Sequence, residues 1–289
     1  MPSLTVAIVN FNSGPQVDAC LASVSADLIG IDWAAVVVDN ASTDGSAERL
    51  EASRASRVDL IRNTSNRGFG AAVNQAARHR PAPLLWLLNP DCRVEPGAFA
   101  ALVEALQAHA DCAIVAPQLL NRDGTTQESA RGEPSAWTGL FGRHGLLTKF
   151  FPGAGAARRN LRARELVDSG VESAPIDWAM GACLLVRADV FARVGGFDER
   201  YFLYWEDADL CRRVRDLGHT VRYVPRARVT HAGAASSRTV RRLAGRAFHR
   251  SAYLYYATHT VPSRWHPARP LAWLALTLRG WWRTTVTRA

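Results

Sequence analysis

The chain has 289 residues, 48% of them hydrophobic, and a formal net charge of +9 at pH 7. This length and apolar content allow one sizeable α/β core with a smaller part appended. The five cysteines lack the paired spacing of metal-binding motifs, so we expect reduced thiols. No recognition motif accompanies the positive charge, which makes nucleic acid a poor partner.

Two short apolar runs, residues 4–9 and 34–38, open the chain. Their length, β-branched content and turn-forming ends predict buried parallel strands, with a crossing helix at residues 16–24. Because the first run already behaves as a strand, we expect no secretory signal there. Ligands of open α/β sheets bind outside the carboxyl ends of the strands. The polar residues at these ends, which are predicted to share one pocket, are Asn10, Asp39 and Asn40.

A third strand is predicted at residues 58–61, followed by a glycine-bearing turn at 63–70 and a helix at 71–78. Backbone N–H groups at such a helix start can bind phosphate, because glycine allows close approach. The spacing matches neither a P-loop nor the dinucleotide pattern of three spaced glycines, so alone it is a weak motif. Before this unit, Ser42 and Asp44 are expected to cap a helix that begins near residue 46.

A fully apolar strand at residues 84–88 ends in Asn89-Pro90-Asp91, before a helix predicted at 96–108. An acid that closes a central strand faces the ligand crevice. Asp91 is therefore a candidate to hold Mg²⁺ or Mn²⁺ together with substrate phosphates. The alternative is an Asn-Pro turn in which Asp91 is simply solvated.

Acidic residues are crowded into an apolar and aromatic stretch at residues 202–211. Carboxylates beside large apolar side chains lose hydration, which raises their pKa and makes them better proton acceptors. The stretch therefore predicts a general base. The alternative is an ordinary helix start, in which Glu206 and Asp207 are favoured in the first turn by the helix dipole.

The C-terminal part of the sequence is basic and aromatic. Tryptophans, leucines and arginines mix from residue 264 to 283, but the apolar run at 271–278 is far shorter than the ~20 residues that span a bilayer. We therefore predict an interfacial helix pair that binds an anionic membrane surface. Aromatic packing against the rest of the chain, or a homodimer contact, is the alternative. The basic stripe of the first helix consists of Arg238, Arg242, Arg246, His249 and Arg250.

Together these motifs resemble inverting nucleotide-sugar glycosyltransferases of family 2, and most of all the actinobacterial rhamnosyltransferases that act on lipid-linked sugars. The resemblance covers most of the chain and implies an α/β fold of the GT-A type. Such a fold has a mostly parallel central sheet flanked by helices, here with a helical C-terminal extension. The residues that carry the resemblance are 10, 39–45, 66–74, 89–91, 178–183, 195–199 and 205–207.

The resemblance also implies roles for single residues. Asp207 corresponds to the catalytic base, and Asp91 and His231 correspond to the metal ligands. Asn89 stands where the Asp-x-Asp motif has its first acid, so metal affinity should depend on Asp91, His231 and the donor diphosphate. The implied nucleotide-sugar site comprises Asn10, Asp39, Asn40, Asn66, Gly68, Gly70, Asn74 and Asn89. The implied acceptor or sugar side comprises Trp178, Gly181, Phe197, Asp198, Trp205 and Glu206.

The implied reaction is inverting, metal-dependent transfer of L-rhamnose from thymidine diphosphate rhamnose (dTDP-rhamnose) to a lipid-linked or cell-envelope saccharide. The alternatives are another hexosyl or galactofuranosyl transfer from a UDP- or GDP-sugar, and an inactive nucleotide-sugar-binding membrane scaffold. We expect the protein on the cytoplasmic face of the plasma membrane.

The expected organisation is a catalytic domain at residues 1–235 and a membrane-associating region at 236–289. Within the catalytic domain, residues 1–118 are expected to bind the nucleotide sugar and residues 119–235 to form the acceptor side. An irregular segment at 121–174 is interpreted as an acceptor-side excursion, with residues 152–164 as a candidate lid.

Overall fold

A computed structural model describes residues 3–53, 56–134, 162–233 and 241–286 of the protein. The strands are β1 (Leu4–Asn10), β2 (Trp33–Asp39), β3 (Val58–Arg62), β4 (Leu84–Leu88), β5 (Cys92–Val94), β6 (Cys112–Leu120), β7 (Ala130–Arg131), β8 (Ala174–Ile176), β9 (Trp178–Ala179), β10 (Cys183–Arg187) and β11 (Thr220–His231). The helices are α1 (Gln16–Asp27), α2 (Ser46–Ser53), α3 (Phe69–His79), α4 (Ala98–Ala108), α5 (Ala163–Asp168), α6 (Ala188–Arg193), α7 (Glu206–Asp216), α8 (Arg241–Tyr255) and α9 (Ala268–Val286). A π-helical turn, Tyr256–Thr260, follows α8 directly.

The central sheet has the order β3-β2-β1-β4-β10-β6-β11-β5, with β8 paired to β11. The half that contains β1 to β4 is entirely parallel. Asn10 and Asp39 pair at the carboxyl ends of β1 and β2, so the predicted pocket residues are brought to one edge of the sheet. The four strands predicted from the apolar runs are confirmed to within two residues.

The second half of the sheet is mixed. Strand β10 enters antiparallel between β4 and β6, while the long strand β11 pairs parallel to β6 and antiparallel to β5. In this register His231, the last residue of β11, pairs with Cys92. Strand pairing thus brings His231 beside Asp91 although the two are far apart in the sequence.

Apolar clusters cover both faces of the sheet, which explains why its strands are almost continuously hydrophobic. Trp86 on β4 is fully buried and packs on Phe99 of α4, with ring centroids 5.2 Å apart. Burying a side chain of this class contributes about 1.5–3 kcal/mol. The architecture confirms the predicted α/β fold of the GT-A type with a mostly parallel sheet and flanking helices.

The C-terminal helices confirm the predicted helical extension. Helices α8 and α9 pack against each other, and a Cβ atom added to Gly280 would lie 3.3 Å from Cγ of His249. In the part of the chain that the structure describes, every helix falls short of the length and apolarity needed to cross a bilayer. The boundary expected at residue 235, most of the candidate lid and the Arg238 end of the basic stripe lie outside the described residues.

Candidate active site

Asn10 and Asp39 form a buried polar network at the ends of β1 and β2. Nδ2 of Asn10 donates to Oδ1 of Asp39 at 2.7 Å, and the backbone N–H of Ser42 donates to Oδ2 at 3.0 Å. Both carboxylate oxygens of Asp39 are therefore held in place. Asp44 accepts a bond from the N–H of Ser46 and caps α2 as predicted, whereas Ser42 instead bonds Asn10 and Asn12.

The glycine-bearing turn joins this network to the acidic stretch. Nδ2 of Asn40 donates to the carbonyl of Gly68 at 3.1 Å, and Oδ1 of Asn66 accepts from the N–H of Gly68 at 2.9 Å. Gly68 has φ +89°, and a Cβ atom there would overlap the carbonyl oxygen of Phe202. Only glycine fits this conformation and this close approach.

The next residues of the turn and of α3 contact the loop at 195–199. A Cβ atom on Gly70 would lie 2.8 Å from Cβ of Phe197. The amide of Asn74 donates to the carbonyl of Phe197 and accepts from its N–H, both at 2.9 Å. Asn74 thus anchors this loop, and its predicted contact with the nucleotide stays a prediction. Burial alone would raise the pKa of Asp198, but hydrogen bonds from Arg200 outweigh it and lower that pKa.

Asp91 and His231 form a pair that suits a divalent cation. Oδ1 of Asp91 lies 3.3 Å from Nε2 of His231, and both side chains are about one-tenth exposed. Sγ of Cys92 completes a group of donor atoms that lie within 4.8 Å of one another. Burial raises the pKa of Cys92 well above its usual value, and its Sγ donates to the carbonyl of Ala182 at 3.3 Å. The donors for a hard cation are therefore a carboxylate oxygen and an imidazole nitrogen, which fit manganese or magnesium.

Asp207 lies in the first turn of α7. Its Oδ2 accepts from the N–H of Gly181 at 2.9 Å, and its Oδ1 accepts from the N–H of Ala208 at 2.8 Å. Burial raises the pKa of Asp207, and these backbone bonds offset only part of the effect. The helix start expected from sequence and a carboxyl with a raised pKa therefore occur together at Asp207.

Glu206 precedes Asp207 and is 6% exposed. Burial, reinforced by the charge of Asp207, raises its pKa well above the usual value, and its Oε2 has no hydrogen-bond partner among the described residues. Tyr204 and Trp205 have φ of 66° and 70°, which costs about 1–3 kcal/mol each for residues other than glycine. Trp205 is held there by packing on Tyr255 of α8, at 5.3 Å between centroids. Strain of this kind is concentrated at functional sites.

Two consecutive residues connect the acid at 207 to the Asn89-Pro90-Asp91 turn. Gly181 donates its N–H to Asp207, and the carbonyl of Ala182 accepts from the N–H of Asn89 at 2.8 Å. A Cβ atom on Gly181 would lie 3.2 Å from Cβ of Asp207, so the backbone approaches the acid closely. The backbone of Gly181 and Ala182 therefore links the carboxylate of Asp207 to the turn that carries the candidate cation site.

The stretch at 127–131 supplies site residues that sequence reasoning did not assign. The guanidinium of Arg131 lies 5.5 Å from the ring centroid of Trp178, and its charge lowers the pKa of Asp207. Nε1 of Trp178 donates to the carbonyl of Gly132 at 2.9 Å. Gln127 contacts His231 at both its ring and its backbone. The sequence showed only that residues 127–131 resemble a stretch of the rhamnosyltransferases. The two contacts themselves depend on partners in distant parts of the chain.

A buried acid with a raised pKa at a helix start and a carboxylate–imidazole pair beside a mostly parallel sheet fit a glycosyltransferase of the GT-A type. A family model described as "Glycosyl transferase family 2" matches residues 5–162, and the chain belongs to this family. It is 34% identical over 290 residues to the N-acetylglucosaminyl-diphospho-decaprenol L-rhamnosyltransferase of Mycobacterium tuberculosis, covering 96% of this chain and 89% of that protein. The protein is therefore a glycosyltransferase enzyme.

More distant relatives share the fold. The low-salt glycan biosynthesis hexosyltransferase Agl10 of Haloferax volcanii is 26% identical over 219 residues, which cover 74% of this chain and 62% of that protein. GalNAc-T7, solved with UDP, GalNAc and Mn²⁺, matches with a TM-score of 0.61 at 20% identity; the match covers 80% of this chain but only 43% of that one. The mannosyltransferase PcManGT of Pyrobaculum calidifontis, solved with GDP-Man and Mn²⁺, matches with a TM-score of 0.58 at 18% identity. The match covers 96% of this chain and 69% of that one.

Proposed function

We propose that the protein transfers L-rhamnose from dTDP-rhamnose, with inversion, to a hydroxyl of a lipid-linked saccharide. The observation that carries the proposal is the bridge of Gly181 and Ala182 between Asp207 and the Asn89 to Asp91 turn. This bridge supports a joint role, because it links the carboxylate that we propose as proton acceptor to the turn that carries the candidate cation site. The choice of donor and acceptor is supported by the mycobacterial relative, whose name specifies L-rhamnose and a lipid-linked N-acetylglucosamine.

In the proposed reaction Asp207 accepts the proton of the acceptor hydroxyl, which attacks the anomeric carbon as the nucleoside diphosphate departs. Because its pKa is raised, this carboxyl is a better proton acceptor than an ordinary aspartate. One base and direct displacement, without a covalent intermediate, invert the configuration. Asp91 and His231 would hold the cation. When bound there, a divalent cation neutralises the negative charge that develops on the leaving diphosphate.

The donor site is proposed at the carboxyl ends of β1 and β2. Asp39, fixed by Asn10, would contact the nucleobase, and Asn40 and the glycine-bearing turn would line the rest of the nucleotide pocket. Asn89 brings no charge to the cation site, so the donor diphosphate should supply much of the affinity. The imidazole ligand favours manganese over magnesium, because magnesium prefers oxygen ligands.

A transfer assay tests the donor, the metal and the stereochemistry together. The acceptor is N-acetylglucosamine linked through diphosphate to a short polyprenol, and the donors are dTDP-rhamnose and, as controls, UDP- and GDP-hexoses. We expect transfer from dTDP-rhamnose that stops with a chelator and returns with Mn²⁺, and a product whose anomeric carbon–hydrogen coupling shows inversion. Transfer from a control donor but not from dTDP-rhamnose would show that the donor was wrongly assigned. It would not contradict the roles proposed for Asp207 and Asp91.

We further propose that α9 lies on an anionic membrane surface beside the lipid-linked acceptor. Large apolar side chains recur along one face at a helical spacing and are about half or more exposed: Leu271, Leu274, Leu278 and Trp281. Trp265, just before the helix, is 90% exposed. Such a face with neighbouring arginines is typical of an interfacial helix.

Flotation with liposomes tests this surface. Full-length protein should float with vesicles that contain phosphatidylglycerol and less so at high salt, whereas Leu274→Glu should weaken flotation. Ile29→Glu, which introduces the same charge at an exposed apolar residue (83% exposed) after α1, is the matched control. Equal flotation of Leu274→Glu and wild type, or none with anionic vesicles, would contradict the proposal.

A further inference from the structure

We propose that Gln127 is a positioning residue that fixes His231 in the tautomer whose lone pair lies on Nε2, ready for the cation. The inference rests on the metal-binding role proposed for His231. It concerns a residue that would touch neither the cation nor the substrate and would act only through the imidazole.

The orientation of the Gln127 side chain is decided by the backbone. Gln127 is 4% exposed, and its Nε2 lies 2.7 Å from the carbonyl oxygen of His231. A carbonyl oxygen only accepts hydrogen bonds, so the amide must turn its NH₂ group toward it. The amide oxygen of Gln127 is then directed toward the imidazole.

The orientation of the amide determines the tautomer of the ring. Oε1 of Gln127 lies 3.0 Å from Nδ1 of His231. Because an amide oxygen is purely an acceptor, Nδ1 must carry the hydrogen, and in the neutral ring Nε2 then keeps its lone pair. In metal sites, a partner on the second ring nitrogen commonly orients the ligating histidine in this way.

Nε2 of His231 faces one donor and one acceptor. Nδ2 of Asn89, a donor, lies 3.3 Å away, and Oδ1 of Asp91, an acceptor, also lies 3.3 Å away. A carboxylate oxygen and an imidazole lone pair repel each other unless a cation lies between them. The arrangement therefore presents two ligand atoms to one cation.

The polypeptide around Gln127 is firmly attached to the strand that carries His231. Gln127 donates its N–H to the carbonyl of Leu119 at 2.7 Å, and Leu120 pairs with Thr230 across β6 and β11. The side chain of Gln118, at the same end of β6, donates to Oγ1 of Thr126 at 2.8 Å and makes no hydrogen bond to His231 among the described residues. The paired ends of β6 and β11 thus position both Gln127 and the imidazole ring that it orients.

The test combines Mn²⁺ binding with the nitrogen-15 shifts of the histidine ring in the full-length protein. Gln127→Met removes both bonds at nearly constant volume. We expect a mixture of His231 tautomers and a 10- to 100-fold loss of Mn²⁺ affinity in the presence of thymidine diphosphate, measured by electron paramagnetic resonance. Gln127→Glu keeps an acceptor for Nδ1 and should hold the affinity within a few-fold. Gln118→Met is the matched control and should bind Mn²⁺ as wild type does.

The outcomes separate this inference from the proposed metal role. Wild-type Mn²⁺ affinity and an unchanged tautomer in Gln127→Met would overturn the inference alone. No Mn²⁺ binding by the wild type would overturn both. If Gln127→Met does not fold, the nitrogen-15 shifts of His231 in the wild-type protein provide the test. A hydrogen on Nδ1 supports the inference, and a hydrogen on Nε2 overturns it. The His231 signals are identified by their loss in His231→Asn.

Discussion

Nε2 of His259 lies 2.7 Å from Oδ1 of Asp209, and both side chains are buried. His259 belongs to the π-helical turn after α8, whereas Asp209 follows the proposed base by two residues on α7. Oδ2 of Asp209 also accepts from Nε of Arg213 at 2.8 Å, and Arg213 in turn bonds the carbonyls of Val194 and Gly196. The C-terminal helices are thereby bound to the helix that carries Asp207.

Removal of His259 should loosen this attachment. His259→Ala leaves one oxygen of the buried Asp209 without its partner, so we expect a loss of about 1–3 kcal/mol in the free energy of unfolding. His259→Gln can still donate to Asp209 and should lose less. Chemical denaturation followed by circular dichroism measures both variants. Equal stability of His259→Ala and wild type would show that the contact contributes nothing.

Gly68→Ala should be more damaging than an ordinary glycine substitution. A methyl group there meets the carbonyl of Phe202, in addition to the strain of a positive φ. Gly97 is the matched control, because its φ is +80° and an added Cβ atom has no neighbour within 4 Å. We expect Gly97→Ala to cost about 1–2 kcal/mol for the strain alone.

Thermal unfolding and binding of thymidine diphosphate compare the two alanine variants. Gly68→Ala should have the lower melting temperature and the weaker affinity for the nucleotide. The same melting temperature and nucleotide affinity in both variants would mean that the turn can move away from Phe202 at no cost.

The pH dependence of transfer should report the environment of Asp207. The carboxyl must be ionised to accept a proton, and its pKa is raised by burial, so the acidic limb of kcat/KM should lie above the ordinary aspartate value. The charge of Arg131 lowers this pKa. Arg131→Met should therefore shift the limb to higher pH, whereas Arg131→Lys, which keeps the charge, should shift it less. If the acidic limb of the kcat/KM profile is the same in Arg131→Met and wild type, Arg131 does not influence the pKa of Asp207.

The local sequence was sufficient to predict the strands of the parallel half of the sheet. Runs such as residues 4–9 and 84–88 are buried on both faces, and this produces an apolar pattern that is visible without a partner strand. The polar residues that follow them were predicted to meet because parallel strands align their carboxyl ends. The register of Asn10 with Asp39 bears this out.

Contacts between distant segments could not be predicted in this way. Nothing within residues 183–187 indicates that β10 enters the sheet antiparallel between β4 and β6. Asn74 likewise gave no local sign that its amide bonds the backbone of Phe197, 123 residues away. The roles of Gln127 and Arg131 also depend on partners that only the folded chain provides. Hydrophobic periodicity in the sequence predicts which face of a helix or strand is buried, but it does not identify the segment that packs against that face.

The most direct test of the proposed mechanism is a comparison of Asp207→Asn with wild type in Mn²⁺-dependent rhamnosyl transfer. Asparagine keeps the size of the side chain but cannot accept the proton, so turnover should fall by about 10²–10⁴-fold. Binding of thymidine diphosphate with Mn²⁺ should stay within a few-fold of wild type, because Asp91 and His231 are untouched. Near-normal transfer by a folded Asp207→Asn protein would contradict the mechanism.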